Sequence, residues 1–171
     1  MNEGPSVYWL AVASNTVEVN YEELKHRMVV AQGWPKLSLE ALLPFAADGD
    51  RATFDSIFGA LFKRVYPEYS ADSSARIMWD LLNLKQGDII VAIEGTRVVG
   101  IAELPIDAVS SYRHDKFHEY ANTVSYGTNW RDWETVSNNF VPTAPAKGVQ
   151  GIRQLQQYRE KVLSAWKTHS K

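Results

Sequence analysis

Six tryptophans, at Trp9, Trp34, Trp79, Trp130, Trp133 and Trp166, together with eight tyrosines, carry most of the recognition chemistry in this sequence. An indole offers a broad flat apolar face and one N–H donor, which suits core packing and equally suits stacking on a planar ligand such as a nucleobase. Spacing separates the two uses in part. Trp166 falls on the apolar stripe Ile152, Leu155, Tyr158, Val162 and Trp166 and reads as structural, whereas Trp9, inside a short apolar run, fits either use. Trp34, Trp130 and Trp133 lie beside Gly, Pro or Asn in segments that read as loops or element ends. A large ring there is costly to leave in water, so it is either covered by the core or kept for a ligand.

Catalytic signatures are sparse. No cysteine occurs, which removes disulfides, thiolate metal sites and a thiol nucleophile. There is no phosphate loop ending in Gly-Lys-Ser/Thr, no His-Glu-x-x-His helix and no Gly-x-Ser-x-Gly elbow. His114 and His118 stand at i and i+4, where one helix face would unite them with Asp115 or Glu119 around a metal, but no third ligand is evident and an exposed polar turn explains the run as well. Asp88 and Glu103 are of the right type for acid/base work, yet nothing in the sequence brings them together. The expectation is a binding module that is not an enzyme and uses no metal and no cofactor.

The elements that must position these side chains follow from the local pattern. At 171 residues, 45% hydrophobic and 22% charged, the chain has the balance of one folded domain spanning residues 1–171. Val7–Ala13 is a short apolar run with β-branched and aromatic members, stopped by Ser14-Asn15-Thr16, and reads as a buried first strand. Tyr21–Ala31 follows the N-cap candidate Asn20 and reads as a helix ended by Gly33-Trp34-Pro35. Helices are expected at Ser38–Phe45 and at Thr53–Tyr66, the latter aligning Phe54, Ile57, Phe58, Leu61 and Phe62, with Pro67–Ser74 as a surface loop. Leu84 to Leu104 reads as a β-hairpin turning at Glu94-Gly95-Thr96. A further strand is expected at Asn122–Tyr126, an irregular aromatic segment at Asn129–Phe140, and a closing helix at Ile152–Trp166.

A formal net charge of −2 argues against a protein that coats nucleic acid by charge alone. The tail is different: from Lys147 onward Arg153, Arg159, Lys161 and Lys167 face the single acid Glu160, which makes either a phosphate-binding face or a solvated helix surface. No run approaches the ~20 apolar residues of a membrane span, and Met1–Pro5 lacks the charged start of a signal peptide. With no cysteine in the chain, a cytoplasmic location away from membranes is the expectation.

The ordered set Val7-Tyr8-Trp9-Leu10-Ala11-Val12-Ala13-Ser14-Asn15, Gly33-Trp34, Gln86-Gly87-Asp88-Ile89-Ile90-Val91, Val98-Val99-Gly100-Ile101-Ala102 and Val124-Ser125-Tyr126…Trp130 resembles the PUA-like β-barrel superfamily. The similarity is to its EVE and YTH branches and to the N-terminal domains of McrB-type, modification-dependent restriction systems, and it covers about Val7 to Trp133. It implies an α+β fold, a small curved β-barrel flanked by helices, here with a helical insertion at about 38–74. It further implies a nucleic-acid-binding module that flips a methylated or hydroxymethylated base into an aromatic cage. By that resemblance Ser14 and Asn15 bond the base edge and Trp34 is one cage wall. Trp130 is the other, with Tyr126, Trp79 or Tyr112 as substitutes. The implied partner is modified DNA, with RNA the lesser expectation. The insertion is longer than in a minimal barrel of this kind, and no motor or nuclease domain follows, so an effector would act in trans or belong to a longer polypeptide. Two rivals stand beside this reading. One is a protein-interaction adaptor or a phage or defence regulator; the other is a glycosylase or nuclease, for which no carboxylate or metal site is found.

Overall fold

The computed structural model describes residues 4–12, 20–116, 118–137, 140–146 and 148–170. Along the chain run β1 (Val7–Val12), α1 (Tyr21–Arg27), β2 (Val30–Gln32), a 3-10 turn (Glu40–Leu42), α2 (Leu43–Asp48), α3 (Arg51–Val65) and α4 (Ala71–Leu82). The hairpin β3 (Ile89–Glu94) and β4 (Arg97–Glu103) follows, then α5 (Ala108–Ser111), β5 (Arg113–His114) and β6 (Asn122–Val124). The chain closes with β7 (Arg131–Asp132), α6 (Trp133–Val136), β8 (Ile152–Gln154) and α7 (Arg159–His169). Five strands form one sheet in the order β7-β4-β3-β1-β8, and three form another in the order β2-β6-β5. The fold is mixed α+β, and among the described residues the two sheets stay separate and close no barrel. No helix among them is long and apolar enough to cross a membrane.

Strand period and helix stripe explain the layers. Successive side chains of a strand point to opposite faces. Leu10, Val12, Ile90 and Ala92 accordingly face one core, while Val7, Trp9, Val91 and Ile93 face another. β3 is buried on both faces, which is why Ile89–Ile93 reads as an unbroken apolar run. The first core receives α3 through Phe54, Phe58 and Phe62, whose rings follow one another at 6.0 and 5.5 Å. The second is closed by Trp133 and by Val162 and Leu163 of α7.

Four local readings are corrected in the structure. The helix expected over Tyr21–Ala31 stops at Arg27, because Met28 turns left-handed at φ 56 and its N–H caps Leu24 and Lys25. Val30–Gln32 then pairs with β6, Val30 opposite Val124. The loop expected at Pro67–Ser74 gives way to α4, which begins at Ala71 with the Ser70 side chain accepting from the Asp72 N–H. The helix expected from Ile152 begins only at Arg159. Ile152–Gln154 pairs with β1, and the Leu155 N–H bonds the Val7 carbonyl at 2.7 Å. Three residues apart, in β8 and just past its end, Ile152 and Leu155 lie in different cores. The helix expected at Ser38–Phe45 is displaced into the 3-10 turn and α2, which ends at a left-handed Gly49.

Helix α1 carries the chain into β2, and its seat on the sheet is specific. The Tyr21 ring lies directly against Gly100 of β4, where any Cβ would overlap it. Tyr21 Oη donates to Asp132 Oδ1 at 3.0 Å, one turn from Lys25 Nζ, which reaches the same carboxylate at 3.0 and 3.2 Å. Lys25, then Tyr21, hold the Asp132 carboxyl below the usual carboxylate range, and Asp132 in turn raises Lys25.

Two outcomes follow from this seat. Gly100→Ala overpacks the Tyr21 contact and lowers stability by about 1–3 kcal/mol in urea unfolding. The pairing has a pH window: a depressed Asp132 stabilises above the ordinary aspartate value of about 3.9, and that contribution is lost as pH falls through the lower folded value. A raised Lys25 stabilises below its ordinary value of about 10.4 and is lost as pH rises through the higher folded one. Asp132→Asn therefore flattens the acid limb of the urea midpoint measured from neutral pH to about pH 3.

Candidate functional site

Because β1 and β3 run parallel, Val7 beside Ile89 and Val12 beside Glu94, both strands finish at the same end of the sheet. At that end lies a cavity of about 520 Å³. Ala11 and Val12 of β1 form one wall and Gly95 and Thr96, at the turn after β3, another. Gln32, the last residue of β2, and Tyr120 complete the side that belongs to the smaller sheet, and Val149 comes from the segment before β8. The cavity therefore lies where the two sheets meet.

Gln32 is the unusual member. It is 7% exposed, and its Nε2 has no hydrogen-bond partner among the described residues. An unmet buried donor costs about 1–3 kcal/mol, and native folds rarely retain one without a use for it.

The segment that leaves Gln32 is fixed by groups from the smaller sheet. Asn122, fully buried opposite Gln32, donates through Nδ2 to the Gly33 carbonyl at 2.6 Å and to that of Trp34 at 3.4 Å. Its Oδ1 accepts from the Tyr112 hydroxyl, which in turn accepts from the Leu39 N–H at 2.7 Å. His114 Nε2 meets the Pro35 carbonyl at 2.8 Å, and the Lys36 N–H donates to the Tyr66 hydroxyl at 2.9 Å. These bonds hold Trp34 at φ 62, a left-handed conformation uncommon for a residue with a side chain.

The residues expected to form a cage are not gathered around one point. Ser14 and Asn15 lie outside the described residues. The half-buried Trp34 turns its ring toward Phe62, Tyr66 and Tyr69 at 4.9, 4.8 and 5.3 Å. Trp130 is buried in the main core, with its ring edge to Tyr21 and its N–H donating to the Val29 carbonyl at 2.9 Å. Trp79 packs on Phe54 and under the Arg51 guanidinium. Tyr126 is 47% exposed, with the Arg113 guanidinium 4.3 Å from its ring centre.

The basic residues divide in the same way. Arg159 is tied to the Pro5 carbonyl at 2.8 Å and to Glu160, and Lys161 lies over the Phe140 ring. Arg153 is exposed on the edge strand β8, where it borders a groove with Trp9 and Tyr158, and Lys167 is exposed in the last turn of α7.

Other candidate chemistry is absorbed into the scaffold. Arg113–His114 is strand, so the two histidines share no helix face: His118 instead meets Glu23 at 3.2 Å and Arg27 at 3.1 Å. Among the described residues no group of three His, Asp or Glu could hold a metal. Asp88 accepts from the Ser6 and Lys85 N–H groups, and burial pushes its carboxyl up. Glu103 accepts from the Trp166 indole at 2.8 Å.

Two residues of the cavity, Gln32 and Tyr120, were not singled out by sequence. The available signal was slight: one amide closing the apolar run Val29-Val30-Ala31, directly before Gly33-Trp34. No family model matches the chain, and neither a curated protein nor a solved structure matches it significantly.

Asn122→Ala leaves the Gly33 carbonyl without its donor and the Tyr112 hydroxyl without its acceptor. The expected result is a loss of about 1–3 kcal/mol in stability, with the Lys36 and Leu39 amides exchanging faster than those of β1 and β3 in hydrogen-exchange measurements.

Proposed function

We propose that this chain is a nucleic-acid-binding module that takes a flipped, methylated or hydroxymethylated base into the cavity at the end of β1, in DNA rather than RNA, without catalysing a reaction. The observation that carries the reading is the cavity itself, with an apolar side at Ala11, Val12 and Val149 and with Thr96 and the ring of Tyr120 as its polar and aromatic members. Its volume lies in the range of about 300–1,000 Å³ common for small-ligand sites. Discriminating an added methyl calls for a dry apolar wall, while naming the base calls for a few fixed hydrogen-bonding groups. Both kinds of group occur here.

In this reading the two sheets are the halves of a PUA-like curved barrel, in keeping with the EVE and YTH resemblance of the sequence. Ser14 and Asn15, two and three residues beyond Val12 in the chain, bond the base edge and Tyr120 supplies a ring, while Trp34, whose ring packs on Phe62, Tyr66 and Tyr69 outside the cavity lining, joins the cage only by turning away from them. Trp130 braces the site from within the core. Arg153 and Lys167 meet phosphate, and a motor or nuclease effector acts in trans or within a longer polypeptide.

A second reading, a protein-docking surface, is favoured by one feature. Met28 and Tyr126 are both large and exposed, and the Thr128 N–H bonds the Met28 carbonyl to join their segments. Met, Tyr and Arg are enriched at such interfaces.

The test is titration with labelled DNA and RNA oligonucleotides carrying 5-methylcytosine, 5-hydroxymethylcytosine, N6-methyladenine or no modification, single- and double-stranded. The expected result is preference for one modified DNA, weakened roughly ten- to hundredfold by Tyr120→Ala or Trp34→Ala. Arg153→Glu and Lys167→Glu should each lower the salt slope by about one unit, on every sequence alike. A protein that binds modified and plain oligonucleotides equally would end this reading and leave the docking surface.

A further inference from the structure

Away from the cavity at the end of β1, the C-terminal end of α3 gathers a second set of aromatic and basic groups. Tyr69 lies in the link between α3 and α4, its N–H bonded to the Tyr66 carbonyl at 3.1 Å and its neighbour Ser70 capping α4. Its ring meets Trp34 at 5.3 Å and Tyr66 at 6.4 Å, yet 54% of the residue faces solvent. The ring is thus backed by other rings and presented outward on a short link held by helices at both ends. A single exposed ring is common on protein surfaces, and what sets this one apart is its neighbour.

That neighbour is a groove of about 720 Å³ between α3 and the segment that follows Trp34. Its lining combines apolar Leu37, Ala41, Leu61 and Val65 with the exposed cations Lys36 and Arg64. Lys36 links groove and rings: its N–H donates to the Tyr66 hydroxyl at 2.9 Å, and its Nζ lies 5.7 Å from the Tyr66 ring centre. Elsewhere on α3 and α4 the arginines are paired, Arg51 with Asp55 and Arg76 with Asp80. Among the described residues neither Lys36 nor Arg64 meets a carboxylate, and the acid in the groove lining is Glu40.

We propose that this face is a platform for single-stranded nucleic acid. One base stacks on the Tyr69 ring, an adjoining base enters the groove against Leu61 and Val65, and Lys36 and Arg64 hold the phosphates between them. Aromatic rings for the bases and cations along the backbone are the combination that holds single strands without reading their sequence. Charge selects this occupant: an apolar helix would cover Leu37 and Leu61 but give Lys36 and Arg64 nothing to pair with. The platform goes beyond the base-reading cavity, since it needs neither a flipped nor a modified base. The two sites are also close along the chain, because the four residues from Gln32, beside the cavity, to Lys36 span at most about 14 Å. A strand leaving a base in the cavity can therefore continue across Tyr69.

The test is fluorescence anisotropy at low salt with a labelled, unmodified oligothymidylate of about twelve nucleotides and with a plain duplex of the same length. The wild type should bind the single strand more tightly than the duplex. Tyr69→Ala should weaken single-strand binding at least about tenfold, whereas Tyr69→Phe, which keeps the ring, should change it little. Lys36→Gln and Arg64→Gln should each lower the salt slope by about 0.7, and Glu40→Gln, which removes an acid beside the phosphates, should tighten binding. All four side chains are exposed, so the variants should keep the wild-type urea midpoint. Single-strand affinity untouched by Tyr69→Ala, or lowered as much by Tyr69→Phe, overturns the platform, as does a wild type that does not bind oligothymidylate. Those results leave the base reader to its own test with modified oligonucleotides. Plain single strand held through Tyr69 by a protein with no preference for modified DNA supports the platform and overturns the reader.

Discussion

The parallel pairing of β1 with β3 is the constraint on which the rest of the molecule depends. Parallel neighbours cannot be joined by a tight turn, so the chain leaving Val12 must travel back across the sheet before Ile89 can begin. The helices α1 to α4 and strand β2 all fall within that crossing. They bury one face of the sheet through Leu24, Phe54, Phe58, Met78 and Leu81, while α7 and Trp133 cover the other. The same pairing brings the ends of two strands together, and the cavity at that end is walled partly by the turn at Gly95 and Thr96.

Around the cavity, locally unfavourable features are concentrated and supported from outside. The left-handed Trp34 costs about 1–2 kcal/mol and an unmet Gln32 donor about as much again. Against these stands the chain Leu39 to Tyr112 to Asn122 to Gly33, each step a hydrogen bond within the buried part of the smaller sheet. A segment so held does not need to reorganise when something enters beside it, which lowers the ordering cost of binding.

Most of the large aromatic side chains serve to join elements. Trp130, Trp133 and Trp166 each place their ring in or against a core and donate their N–H to the Val29 carbonyl, the Phe140 carbonyl and Glu103 respectively. Buried indoles normally find such an acceptor, so an abundance of tryptophan alone is a weak sign of a ligand. Among the described residues the unmet buried side-chain donor sits on the Gln32 amide.

Much of the architecture was legible along the chain, because strand period, β-branching and turn residues act over a few positions. The first strand, the hairpin at Glu94-Gly95-Thr96 and the α3 stripe of Phe54, Phe58 and Phe62 all stand where their patterns put them. The candidate site was legible only as types: a Ser-Asn pair after the first strand, a Gly-Trp after the second element, a basic tail. Where a segment had two local solutions, distant partners decided. Val30–Gln32 became strand because β6 offers its edge ninety residues later, and Ile152 left the helix because β1 needed a second neighbour. Which side chains would end without a partner was beyond any local rule. Asn122 and Gln32 are both amides in apolar surroundings, and only their placement leaves one satisfied by Gly33 and the other with a buried Nε2 that has no partner. Hydrogen-bond satisfaction belongs to the assembled set of neighbours, whereas periodicity belongs to the chain.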